Sequence, residues 1–185
     1  MIKKGAKPGG GGQVFFRCSC KLKLIPVNLT DPGKIKHIRR GIAYAMRVAP
    51  AICNRFIETS KGILLKYLPD VYIVSDHQKK YHAGLSPAFG LTLVAETITG
   101  TFLCGETCLL PKGQAMSKRG SEYAGQENGP SVPEDLALKA TYNLLEEIYR
   151  GGCVDSSNRY LAFLLFVLNQ KDVSRVLPDI LSPFS

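Results

Sequence analysis

The sequence contains no apolar run long enough to cross a lipid bilayer. The longest candidate, residues 160–168, has nine residues, about half of the ~20 that a membrane-spanning helix requires. The chain begins Met1-Ile2-Lys3-Lys4 and continues into glycines, without the apolar segment of a secretory signal. We therefore expect a soluble intracellular protein with no membrane partner.

The cysteines include no CxxC pair, which is the spacing typical of zinc ribbons and of thioredoxin-type redox sites. Because their density is low and no secretion signal accompanies them, the sequence favours free, buried thiols. A metal or disulfide role for some of them is left open. The six cysteines stand at positions 18, 20, 53, 104, 108 and 153.

Catalytic motifs are missing as well. The glycine-rich segments match neither the Walker phosphate loop nor the dinucleotide-binding pattern, and no GxSxG nucleophile elbow occurs. Asp76, His77 and His82 lie close in sequence and could bind a metal ion, but a spacing of five on a loop favours ordinary polar loop residues instead. From the residues alone we predict no catalytic residue, no metal site and no cofactor.

Positive charge is concentrated in the first half of the chain. Residues 1–80 contain 16 Lys or Arg and four Asp or Glu, whereas residues 81–185 contain eight against eleven. A local excess of cations attracts polyanions, of which RNA is the usual cellular one, although a merely solvated surface is the alternative. Any RNA contact would be mostly to phosphates. The candidate binding residues are Lys34, Lys36, Arg39, Arg40 and Arg47.

Hydrophobic periodicity predicts mainly strands in the first 110 residues. Ala49-Pro50 would begin one helix, because proline fits a first-turn position, and Ile52, Phe56, Ile63 and Tyr67 would form its apolar side. Alternating apolar residues predict strands, the last two forming an antiparallel hairpin, at 13–24, 38–48, 71–75, 89–98 and 101–110.

Two helices and a short strand are predicted near the C-terminus. Ser131 and Glu134 have the capping-box spacing, and Gly151 would follow the end of that helix. Asp155 would cap the next helix, and residues 173–181 would form the strand. This order of elements predicts an α+β fold of stacked layers. The first helix would direct inward Ala137, Thr141, Leu144, Leu145 and Ile148.

The N-terminal segment resembles a known family signature. Gly5-Ala6-Lys7-Pro8-Gly9-Gly10-Gly11-Gly12-Gln13-Val14 is similar to the glycine signature of the RNA 3′-terminal phosphate cyclase superfamily, with Lys4 where Arg or His is usual. The resemblance implies a structural loop, formed around Gly5, Pro8, Gly10, Gly11 and Gly12. Four further segments resemble the cyclase-like branch of that superfamily, which acts in ribosome biogenesis: residues 29–36, 68–73, 89–97 and 144–156.

The resemblance implies a βαβαββ core with a smaller inserted α+β domain. Residues 1–32 and 131–185 would then be two pieces of the core, residues 33–112 the insert, and residues 113–130 a flexible loop. Relatives in this superfamily have roughly twice this length, so we expect the front units and the end of the core to be absent here.

For function, the resemblance implies two alternatives. Cyclases use ATP to adenylylate a histidine and then convert an RNA 3′-phosphate into a 2′,3′-cyclic phosphate. The aligned position of that histidine falls at or beyond residues 183–185, which contain none. The cyclase-like branch implies a non-catalytic factor of the nucleus and nucleolus, in the small-subunit processome. It would bind pre-rRNA, a small nucleolar ribonucleoprotein and a ribosome-assembly GTPase. An RNA-processing enzyme, cyclase or endonuclease, is the alternative.

Overall fold

The architecture is a four-stranded sheet with two helices packed on one face. The computed structural model describes residues 2–17, 25–79, 81–109, 132–169 and 173–179. The mixture of helices and strands within these ranges confirms the predicted α+β class. In chain order the elements are β1 (Asn28–Leu29), β2 (Ile35–Met46), α1 (Ala51–Leu64), β3 (Val71–Gln78), β4 (Ala88–Thr97), β5 (Phe102–Cys108), α2 (Pro133–Arg150), α3 (Arg159–Val167) and β6 (Arg175–Val176).

The main sheet has the strand order β3-β2-β4-β5. Strands β2 and β3 are parallel, and α1 forms the crossover that parallel neighbours require. Strand β4 is antiparallel to both β2 and β5. The turn between β4 and β5 contains Gly100 with φ 82°, so the predicted hairpin is confirmed.

The sheet has one covered face, which we call the inner face, and an opposite outer face. Helices α1 and α2 pack on the inner face. Helix α2 packs so closely against β5 that a Cβ on Gly105 of β5 would lie only 2.6 Å from the Cβ of Leu144 in α2. Alternation along β4 was predicted correctly, since its inward residues are all buried: Phe89, Leu91, Leu93 and Ala95.

The two inner helices differ from prediction at their ends. Helix α1 ends at Leu64, so the helical period does not extend to Tyr67, which is exposed. Helix α2 begins after Val132, which is its N-cap, so the predicted capping box is wrong. Glu134 instead pairs with Arg55 of α1 and joins the two helices.

The predicted strand at residues 13–24 is wrong over its described part. Gln13 pairs with Lys3 in an isolated bridge, but residues 14–17 are irregular and Phe16 is 85% exposed. No described strand lies beside these residues to supply ladder hydrogen bonds. Residues 18–24 and the loop predicted at 113–130 lie outside the described residues.

A small parallel sheet joins the segment just before β2 to the last described segment, residues 173–179. Strand β1 pairs with β6, and the N–H of Leu177 donates to the carbonyl of Leu29 at 2.7 Å. Asp155 does not cap α3, whose N-cap is Asn158. Its buried carboxylate instead accepts the N–H groups of Asn158 and of Cys104 in β5.

Helix α2 packs on the same sheet as α1, although residues 131–185 are predicted to be the second piece of the core. The division into core pieces 1–32 and 131–185, with an insert at 33–112, stays a prediction. Among the described residues, no helix combines the length and the apolar character that crossing a bilayer demands.

Candidate nucleic-acid interface

Three of the five predicted cations, Lys36, Arg39 and Arg40, lie on β2, which contains two bulges. Against β4, residues Ile35 and His37 of β2 pair with Thr97 and Glu96, so Lys36 is an extra residue. A second irregularity between Ile38 and Arg40 makes Arg39 an extra residue in the same way. A bulge leaves its extra residue out of the ladder and bends the strand. Lys36 and Arg39 are therefore exposed without disturbing the inward residues.

Four of the five predicted cations occupy the same end of β2. Lys34, Lys36, Arg39 and Arg40 are all exposed, and we call them the basic edge. Arg39 lies 3.4 Å from a carboxylate oxygen of Glu96. The other three form no ion pair within the described part of the chain, so their charge is available to a ligand.

Glu96 is the acidic centre of this region. Its carboxylate lies 3.5 Å from Nε2 of His37 in addition to the guanidinium of Arg39, and its side chain is mostly buried. The Arg39 guanidinium therefore compensates the charge of Glu96 locally, so Glu96 does little to weaken the positive potential of Lys34, Lys36 and Arg40.

Arg47 does not belong to the basic edge. It follows the last residue of β2, roughly 35 Å along the strand from Lys36 at about 3.3 Å per residue. Its φ is 55°, and its Nε donates to the carbonyl of Gly84 at 2.6 Å. Here Arg47 lines an open cavity of about 360 Å³ together with His77, Gln78, Lys79 and Tyr81.

The glycine signature forms a compact loop on the outer face, next to Arg47. Its two arms meet closely, because a Cβ on Gly5 would lie 2.4 Å from the backbone nitrogen of Gly12. The peptide before Pro8 is cis, and Gly10 and Gly11 have φ of 65° and 76°. Backbone hydrogen bonds from Gly84 and Leu85 then fasten the loop to the segment before β4. These hydrogen bonds hold the loop in place, and the structural role that the resemblance implies for it stays a prediction.

Lys4 anchors this loop to the sheet. Its ammonium pairs with Asp76 of β3 and lies 4.7 Å from the centre of the Tyr44 ring. Burial raises the pKa of the Tyr44 hydroxyl to about 12, so the ring stays neutral beneath the cation. The loop therefore covers the end of the outer face that is distant from the basic edge.

Two of the three residues considered for metal binding have other partners. Asp76 pairs with Lys4, and Nε2 of His77 lies 3.0 Å from the carbonyl oxygen of Val48. His82 is exposed. Across the described ranges no three His, Cys, Asp or Glu side chains converge as a ligand set.

The described cysteines are free thiols, but the predicted burial is wrong for Cys108. Cys53 and Cys153 are buried, Cys104 is half-buried, and Cys108 is exposed. Burial raises the pKa of Cys104 to about 11. Cys18 and Cys20 lie outside the described residues.

Two exposed aromatic residues of the outer face were not among the predicted site residues. Tyr72 lies between Val71 and Ile73, which are buried in the core, so its own side chain is on the outer face and 65% exposed. Phe102 pairs with Glu96 across β4 and β5 and is 50% exposed. The sequence pattern of β3 and β5 could have identified both residues. In each strand the aromatic residue alternates with the inward residues and must therefore point outward.

Comparison with known proteins identifies the family. A family model of the RNA 3′-terminal phosphate cyclase insert domain matches residues 30–149. The chain belongs to the RNA 3′-terminal phosphate cyclase family. The matched residues of this cyclase insert include the basic edge, the whole main sheet and α2, whereas the glycine loop lies before them.

The relatives of this cyclase-family chain are longer proteins. An RNA 3′-terminal phosphate cyclase-like protein of Homo sapiens is 49% identical over all 185 residues, which are 46% of its length. The corresponding protein of Dictyostelium discoideum is 46% identical over 49% of its length. The rRNA processing protein rcl1 of Schizosaccharomyces pombe is 35% identical over 96% of this chain and 44% of its own. The chain thus spans about half the length of these relatives.

Proposed function

We propose that this chain is the RNA-binding part of a ribosome-biogenesis factor that supports pre-rRNA processing without catalysis of its own. The observation that carries the proposal is the basic edge, where Lys34, Lys36 and Arg40 are exposed at one end of β2 and form no ion pair in the described structure. The name of the fission-yeast relative, an rRNA processing protein, supports the process. The names of the other relatives describe a likeness to the cyclase, which is compatible with binding alone.

The setting of this function is part of the proposal. We place the protein in the nucleus and nucleolus, in the small-subunit processome, where its ligands would be pre-rRNA or a small nucleolar ribonucleoprotein and an assembly GTPase. A highly charged RNA backbone suits the basic edge better than a neutral ligand does, because each phosphate that contacts a cation releases bound counterions.

A salt titration tests the binding proposal. The 185-residue chain is titrated with a fluorescent single-stranded RNA, and the double variant Lys36→Glu/Arg40→Glu is compared with wild type. We expect weaker binding and a salt slope that is flatter by about 1.4, since each phosphate contact on a single strand contributes about 0.7. The matched control is Lys66→Glu/Lys139→Glu, which changes the net charge equally at exposed positions away from the outer face. If the two double variants reduced RNA affinity and the salt slope equally, the proposal that RNA binds at the basic edge would be refuted.

A second assay separates binding from enzymology. The chain, and the longer protein to which it is related, are incubated with ATP and an RNA that ends in a 3′-phosphate. We expect no covalent AMP on the protein, no cyclic phosphate on the RNA and no internal RNA cleavage. Any of these products would replace the binding proposal with an RNA-processing enzyme, which is the alternative.

A further inference from the structure

The outer face of the sheet places aromatic and cationic side chains in adjacent rows. The pairs Ile38–Val71 and Gly41–Ile73 flank Arg40 and Tyr72, which are therefore neighbours on the outer face. Arg40 is also paired with Val94 of β4. The next row toward the basic edge contains His37, Glu96 and Phe102. The outer face thus presents two exposed rings on either side of a guanidinium.

The distances across the sheet suit an extended polymer. Tyr72 is on β3 and Phe102 on β5, three strand positions apart, which corresponds to roughly 14 Å at about 4.8 Å per strand. The surface between them is formed by Arg40 and His37 of β2 and by Val94 and Glu96 of β4. A ligand that reaches both rings must therefore run across the strands and contact Arg40 on the way.

We propose that this outer face binds single-stranded RNA, with bases stacked on Tyr72 and Phe102 and phosphates held by Arg40 and the other cations of the basic edge. The inference rests on the proposed function and adds the strandedness of the RNA and the way its bases are contacted. Aromatic rings exposed on a sheet stack unpaired bases, and a positive groove tracks the backbone that joins them. A paired helix hides the faces of its bases and cannot make these contacts.

Charge defines the boundary of the binding surface. Glu96 is paired with the guanidinium of Arg39, so the row that contains Phe102 is not strongly acidic. Glu106 is exposed on β5 and pairs with Thr92, one row beyond the row of Arg40 and Val94 and two rows beyond that of Phe102. Beyond it, the glycine loop covers Tyr44. The RNA would therefore occupy the half of the outer face that begins at the basic edge and ends before Glu106.

The test compares aromatic variants in the full 185-residue chain. Tyr72→Leu and Phe102→Leu are each titrated with a fluorescent oligoadenylate and with an RNA duplex of the same length. We expect each variant to bind the single strand roughly 5- to 100-fold more weakly, the effect of losing one stacked base. The salt slope should stay unchanged, because no phosphate contact is removed. Tyr72→Phe should bind the single strand as wild type does, because phenylalanine keeps the aromatic ring.

Matched controls distinguish a lost contact from a lost fold. Tyr149→Leu removes an even more exposed ring from α2, on the opposite side of the sheet, and should leave RNA binding unchanged. Thermal unfolding is measured for every variant, and only those that melt like wild type are compared. Because Tyr72 and Phe102 are both at least half exposed, at least one variant is expected to pass.

The outcomes separate this inference from the proposed function. If the aromatic variants bind like wild type while Lys36→Glu/Arg40→Glu binds weakly, the stacking surface is refuted and the basic edge stands. If none of these variants changes RNA binding, both proposals fail. If wild type binds the duplex as well as the single strand, the stacking surface is also refuted. If an acidic peptide binds with the same aromatic dependence and RNA does not, the face belongs to a protein partner and the RNA inference is overturned.

Discussion

Lys4 and Asp76 form an ion pair between residues that are 72 positions apart in the sequence. One belongs to the glycine loop and the other to β3, so the pair joins the segment before the family's insert domain to the sheet within it. Both side chains are about one-quarter to one-third exposed, which makes the pair stronger than a fully hydrated one.

The first prediction concerns this ion pair. Asp76→Asn should lower the free energy of unfolding by about 1 kcal/mol, because it leaves the Lys4 ammonium without its counterion. Urea unfolding followed by circular dichroism measures the change. Asp70→Asn is the control, since Asp70 is exposed and forms no ion pair among the described residues. In a double-mutant cycle with Lys4→Met the coupling should be clearly positive, and a coupling near zero would contradict the anchor.

The second prediction concerns close packing beneath the loop. A Cβ on Gly84 would lie 2.4 Å from the carbonyl oxygen of Gly10 and 2.8 Å from that of Lys4. Gly84→Ala should therefore destabilise the protein by about 1–3 kcal/mol, as overpacking does. Gly62→Ala is the matched control, because Gly62 lies within α1 with open space around it. That substitution should stabilise the helix by about 0.5–1 kcal/mol. If both variants shift the urea midpoint in the same direction, the packing argument is wrong.

The third prediction concerns pH. The Arg55 guanidinium holds the pKa of Glu134 below its ordinary value of 4.5, and its second nitrogen donates to Glu134 at 2.6 Å. A lowered folded-state pKa contributes stability that is present above pH 4.5 and is lost as pH falls through the folded pKa. Thermal unfolding from pH 7 downward should show a smaller decline for Glu134→Gln than for wild type. Asp135→Asn, one residue further along α2, should follow the wild-type curve.

The fourth prediction concerns thiol reactivity. Burial raises the pKa of Cys53, Cys104 and Cys153, so few thiolates exist near neutral pH. In a background with serine at positions 18 and 20, exposed Cys108 should react first with a thiol reagent. Glu106→Gln should speed this reaction, because the neighbouring carboxylate also raises the pKa of Cys108. Faster labelling of Cys53 than of Cys108 in the native protein would contradict the structure.

The sequence was most informative where one face of a strand is buried. In β4, alternation between Phe89 and Ala95 gave the correct inward residues and the hairpin partner. It failed over residues 14–17, where a similar pattern has no neighbouring described strand. Alternation of apolar and polar residues indicates that a strand would be amphipathic. A strand also needs a neighbouring strand to pair with, and the position of that neighbour depends on tertiary structure.

The residues of the candidate site could be predicted only in part from the sequence, for a related reason. Lys34 and Arg40 are close in sequence and remain together, whereas Arg47 is carried to the other end of the extended β2. The start of β2 at Ile35 was also missed, because the extra residues at 36 and 39 break the period of two. Tyr72 and Arg40 become neighbours only through the parallel register of β2 and β3, which no local pattern specifies.

The two bulges give β2 a composition that a regular strand could not have. Each adds one outward side chain while Ile35, Ile38 and Gly41 still face inward. The strand can therefore carry more cations on its surface without a change in the number of apolar residues that it contributes to the interior. Deleting Lys36 or Arg39 alone would close one bulge, keep the hydrophobic interior intact and leave a protein that differs chiefly in how strongly it attracts a polyanion.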